Sequence, residues 1–132
     1  MPIWLAVSAP DRTEDVEPWR ESLRRMLGAH AASVTILEVM VADQDAVLAS
    51  FAIRLAATEA RTFGDRIRLA VGGPRVASET RRAEVYTREL TPYVDMLAVP
   101  SPDAARAAAW LATVDPSAAL AVVPASSSAA VG

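Results

Sequence analysis

Five short apolar runs with amphipathic segments between them restrict this sequence more than any other feature. They are Ile3 to Ala9, Val34 to Val41, Ile67 to Val71, Val94 to Val99 and Ala118 to Val123. Val, Ile and Leu dominate, and several runs are apolar almost throughout instead of alternating. Strands covered on both faces read this way. The four intervening segments repeat apolar residues at helical spacing. In the first, Val16, Trp19, Leu23, Met26 and Leu27 form the stripe, and Gly28 marks its end or comes close to it. The second runs from about Asp45 to Phe63, with Leu48, Phe51, Leu55 and Ala56 inward, Asp45 as N-cap and Gly64 as the stop. The third begins near Ser78, sets Ala83, Tyr86, Leu90 and Tyr93 on one side and closes at Pro92. In the fourth, Ser101 is placed to cap, Pro102 suits the first turn and Asp103 complements the helix dipole.

Strand, helix and strand at this spacing predict an α/β fold of about five consecutive β/α units on a parallel sheet, joined by right-handed crossovers. Part of a TIM (β/α)8 barrel would have its strands in sequential order. A flavodoxin-like three-layer sandwich would have an order that doubles back. With 132 residues the chain suits one α/β domain over 1–123, followed by an Ala/Ser-rich tail over 124–132.

Composition removes several function classes. A net charge of -3 gives no electrostatic reason to expect nucleic acid or an anionic membrane surface. All 13 basic residues are arginines, which excludes lysine Schiff-base chemistry and a P-loop lysine. Cysteine is absent, so thiol nucleophiles, disulfides and zinc–thiolate sites are excluded. The residues from Met1 to Val7 lack the pattern of a signal peptide, and no apolar run reaches the roughly 18–20 residues of a membrane span. The default expectation is a cytoplasmic protein.

Functional groups of such folds gather on the loops after the strands. Those loops hold Asp11 and Arg12, then Asp43, Gln44 and Asp45, then Arg75, and no histidine. His30 falls at the opposite end of the sheet, where a structural or merely exposed role is expected. Gly72-Gly73-Pro74 lacks the spacing of a phosphate-binding loop, and Pro74 removes a backbone donor, so a turn is the better reading. A receiver-like Mg²⁺ site would need a lysine and further acids that this chain lacks. Trp4, Trp19 and Trp110 read as core residues, and Arg24-Arg25 and Arg81-Arg82 as solvated helix faces.

From Glu17 to Pro100 the order of features resembles the middle of a clan A glycoside hydrolase barrel, nearest to the β-xylosidase and cellulase-like branch. In that family a helix of the type W-x-x-x-[LV]-x-x-[LM] precedes a strand bearing W-E-I-W-N-E-P. Here Trp19 to Met26 precedes Leu37-Glu38-Val39-Met40-Val41-Ala42-Asp43. A long helix, a strand ending in Gly72-Gly73, another helix and Val94-Asp95-Met96-Leu97-Ala98-Val99-Pro100 then follow in the family's order. The resemblance matches Glu38 to the first Glu of the motif. It puts Val41-Ala42 where the family carries the Asn–Glu pair of its acid/base, and Pro100 at the place of its histidine. No Glu follows Glu89, so the nucleophile has no counterpart. The resemblance therefore implies a barrel segment without the catalytic pair, with a carbohydrate as ligand or a place in a larger assembly, and a homo-oligomer covering the sheet edges. Asp11, Glu38, Asp43, Gln44 and Arg75 are the candidate ligand-binding residues, and no catalytic residue, metal or cofactor is expected. The alternatives are a flavodoxin-like small-ligand or regulatory domain, and a hydrolase acting through Asp11, Asp43 or Asp45.

Overall fold

A computed structural model describes residues 2–123, so the Ala/Ser-rich segment expected over 124–132 lies outside the described residues. Five strands form one all-parallel sheet: β1 (Ile3–Ser8), β2 (Val34–Met40), β3 (Arg68–Gly72), β4 (Met96–Pro100) and β5 (Ala119–Val123). Their order is β1-β2-β3-β4-β5, the sequential order of consecutive β/α units, without the reversal of a sandwich. The connections carry α1 (Val16–His30), α2 (Ala46–Arg61), the short pair α3 (Pro74–Ala77) and α4 (Glu79–Val85), and α5 (Ala104–Val114).

Right-handed crossovers that always step the same way along a sheet place every helix on one face. Packing agrees with this. Leu23, Leu27, Ile53, Val76, Val85 and Leu111 of the helices form one cluster with Leu37, Val39, Leu69, Val71, Leu97 and Val99 of the strands. The register aligns the opposite set, which includes Trp4, Ala6, Ile36, Glu38, Met40, Ala70, Gly72, Met96, Ala98, Ala119 and Ala121. None of these belongs to the helix-side cluster. They form the open face, the side without a described helix; at its centre Glu38, Ala70, Met96 and Ala98 are nonetheless only 8%, 0%, 7% and 2% exposed, and exposure concentrates on β1 at Trp4, Ala6 and Ser8.

Local details depart from the sequence expectations for physical reasons. The first helix passes through Gly28 and ends at His30, because the glycine meets only the Phe63 ring at contact distance. In α2 the inward stripe is Ala49, Ala52, Ile53, Ala56 and Ala60, while Phe51 is exposed. Small side chains let that helix lie close to the sheet, and a phenyl ring would hold it off. Asp45 caps α2 as expected, accepting from the Val47 and Leu48 amides at 3.1 and 3.2 Å. Ser101 makes no capping bond and opens a 3₁₀ turn before α5.

Candidate functional site

Glu38 lies within β2 on the open face, between Ala6 on the edge strand β1 and Ala70 on β3. A carboxylate in the centre of a sheet costs desolvation unless something donates to it. Trp4 supplies the donor, its indole Nε1–H reaching Glu38 Oε1 at 2.8 Å. A register shift between Ile3 and Trp4 precedes this contact, and such irregularities re-aim the side chain that follows. The other oxygen lies over Gly72, where an added Cβ would stand 1.9 Å from Glu38 Oε2. Gly72 is thus the residue that leaves room for the carboxyl group. Burial raises the Glu38 pKa above the ordinary carboxylate value, and the Trp4 bond opposes it less strongly.

The indole is 42% exposed on this face, and the alanines around it leave its ring uncovered. This corrects the expectation that Trp4 is a core residue. Strand alternation sends Trp4 to the face opposite Ile3 and Leu5, which pack on the helix-side cluster. Trp19 and Trp110 do pack against that cluster, with Trp19 Nε1–H also donating to Ser8 O at 2.8 Å.

At the C-terminal ends of β1, β2 and β3, the structure brings Asp11, Gln44 and Arg75 together. Gln44 Oε1 accepts from the Ala42 amide at 2.7 Å, and its Nε2 donates to Ala9 O and to Asp11 Oδ1. Arg75 donates to Gln44 O and stands 3.7 Å from Glu84. Gly73, at φ 95, makes the turn that brings Arg75 in; its hydrogen lies where a Cβ would be 2.6 Å from Val41 N and O. Gln44 and Arg75 are buried and fasten these loops to one another. Asp43 faces solvent and pairs with Arg81 at 2.8 Å. Only Glu38, of the five candidates, stands on the open face.

A second buried polar cluster, on the helix side, has no local signature in the sequence. Arg82, expected on a solvated face, is 1% exposed, donates to Val76 O at 2.8 Å and lies 4.5 Å over the Trp110 ring. Tyr86 packs edge-on against the same ring and donates to Asp115 Oδ2 at 2.7 Å. These groups sit between α4 and the α5–β5 connection and hold the two together. His30 is exposed at the end of α1, as expected.

Among the described residues, no group of three or more His, Asp or Glu side chains is placed to hold a metal ion. No helix there is long and apolar enough to cross a membrane. The site's resources are one buried carboxyl group, one half-exposed indole and a floor of small apolar side chains. Set beside known proteins, the chain matches no family model, no curated protein and no solved structure.

Proposed function

We propose that this chain is a glycoside hydrolase-like barrel segment that binds carbohydrate on its open sheet face and does not hydrolyse it. The pairing of Trp4 with Glu38 is the observation that carries this reading. A sugar ring offers C–H groups to an aromatic surface and hydroxyls to an acceptor beside it, and an exposed indole next to a carboxylate supplies both. Ala6, small and exposed on the same face of β1, leaves the indole accessible beside the pair. The sequential strand order supports the barrel likeness, in which Glu38 would correspond to the family's first Glu. Retaining glycosidases need two carboxyl groups about 5–5.5 Å apart. The positions that would carry the family's acid/base and histidine are Val41, Ala42 and Pro100, so binding without turnover is the chemistry proposed.

The test follows the Trp4 indole N–H in a ¹H–¹⁵N spectrum while xylo- and cello-oligosaccharides are added. Saturable shifts are expected up to about 10 mM sugar, ten times the ~1 mM Kd that corresponds to about −4.1 kcal/mol. Trp4→Ala and Glu38→Gln should each reduce the binding. An indole signal that stays fixed through the whole titration would remove the basis for a carbohydrate ligand.

A further inference from the structure

Among the described residues, β1 and β5 each have a strand neighbour on one side only. The Ile3 and Ala9 amides donate to Ser33 O and Met40 O on the β2 side. Alternation along a parallel ladder therefore turns the N–H and C=O groups of Trp4, Ala6 and Ser8 outward, the Ser8 carbonyl already accepting from the Trp19 indole. At the other edge the Ala119 amide donates to Asp95 O, which leaves Leu120 and Val122 outward. Folded proteins usually blunt such edges with charge, proline or a covering segment. Ile3–Ser8 and Ala119–Val123 contain neither a charged residue nor a proline.

We propose that a second copy of this chain closes both edges, β5 of each copy pairing in parallel with β1 of the other. The product is one ten-stranded parallel ring with two-fold symmetry along its axis. Both halves of the contact are present on this one chain. The open-face residues Ala119 and Ala121 come alongside Trp4 and Ala6, so the large indole meets small side chains. On the helix side Leu120 and Val122 come alongside Ile3, Leu5 and Val7, all of them apolar, and the seam covers Val122, which is 55% exposed in the single chain. A head-to-tail contact of this kind either closes into a ring or grows without limit, and the two-copy ring is the closed form.

Sedimentation equilibrium of the full chain tests this. The expected mass is twice the 14.0 kDa of the chain. Ala6→Pro and Val122→Pro each remove an outward N–H, and each should weaken the dimer ~100-fold or more by blocking both seams. A mixture of the two variants should associate again, because the β5 edge of the first and the β1 edge of the second remain intact. Val122→Lys repeats the test if a proline variant loses its far-UV circular dichroism, since this exposed position does not burden the chain's own core. Val47→Lys, at a 76% exposed site on α2, should leave the dimer unchanged. A monomer at all concentrations, a dimer indifferent to every edge substitution, or a ladder of ever larger species would overturn the proposal.

Discussion

Gly72→Ala isolates the geometry that the site depends on. Its new Cβ would stand 1.9 Å from Glu38 Oε2, 2.9 Å from Cδ and 3.3 Å from Cγ, so the carboxyl group must leave. Moving it breaks the 2.8 Å bond from the Trp4 indole. A hydrogen bond to a charged group contributes roughly 1.5–3 kcal/mol. Two effects offset its loss. Replacing Gly by Ala in an unstrained strand stabilises by about 0.4–1 kcal/mol through the unfolded chain, and the displaced carboxylate regains water. The net loss should therefore not exceed about 2 kcal/mol in urea unfolding. The spectroscopic effect should be larger. In the parent protein the Trp4 indole N–H reports the ionisation of Glu38, with a midpoint above the ordinary Glu value of about 4.3. That pH-dependent shift should vanish in the variant. The sign of the linkage follows from the raised pKa: the folded state binds this proton more tightly, so ionised Glu38 lowers stability as pH rises through its titration. Gly72→Ala should flatten that decline. A variant that keeps the indole titration, or loses more than about 4 kcal/mol as an overpacked core would, refutes the reasoning.

Three further outcomes test the parts that position the site. Tyr86→Phe should cost about 1.5–3 kcal/mol in urea unfolding with an unchanged slope, because it leaves buried Asp115 with only the Ser117 hydroxyl at 2.9 Å; a loss under 0.5 kcal/mol, taking ~1 kcal/mol as an ordinary hydrogen bond, would deny that bond its role. Glu59 is held below the usual carboxylate range chiefly by its hydrogen bond from Arg24, so its contribution is present at neutral pH and is lost as pH falls through its folded-state pKa. Glu59→Gln should remove that part of the acid-side decline, and acid titrations that superimpose would contradict it. Arg82→Met should leave stability unchanged or raise it by about 1–2 kcal/mol, since Arg82 Nε and Nη2 are buried without partners and the stacking on Trp110 offsets part of the gain; a drop beyond about 3 kcal/mol would mean the guanidinium is better satisfied than its contacts show.

What the sequence made legible, and what it did not, divides along a physical line. Strand positions are legible because the helix-covered side demands apolar residues and the other side is also largely apolar, and Asp45 is legible as a cap because its bonds are local. On α2 the expectation holds for Ala56 and fails for Phe51, because periodicity weights size whereas close approach to a sheet selects Ala49 and Ala52 over a phenyl ring. Arg82 defeated the reading for a related reason: its burial depends on Trp110, 28 positions further along the chain, and no local pattern encodes that. The open face is the instructive case. A run such as Ile3 to Ser8 looks covered on both sides, yet Trp4, Ala6 and Ser8 are exposed where no helix lies. Exposed Trp4 and Ala6 on a side that no described helix covers, in an edge strand free of charge, are a departure from the local rules of soluble sheets. Among the described strand residues of that face, Glu38 is the only carboxylate. It is held by a tryptophan, over a glycine, at a raised pKa. A buried acid with one hydrogen-bond donor is costly, and such perturbed carboxylates cluster at functional sites. The open face and its acid therefore point the same way: toward a contact made from outside the chain, with Trp4 shared between the ligand surface and the β1 edge.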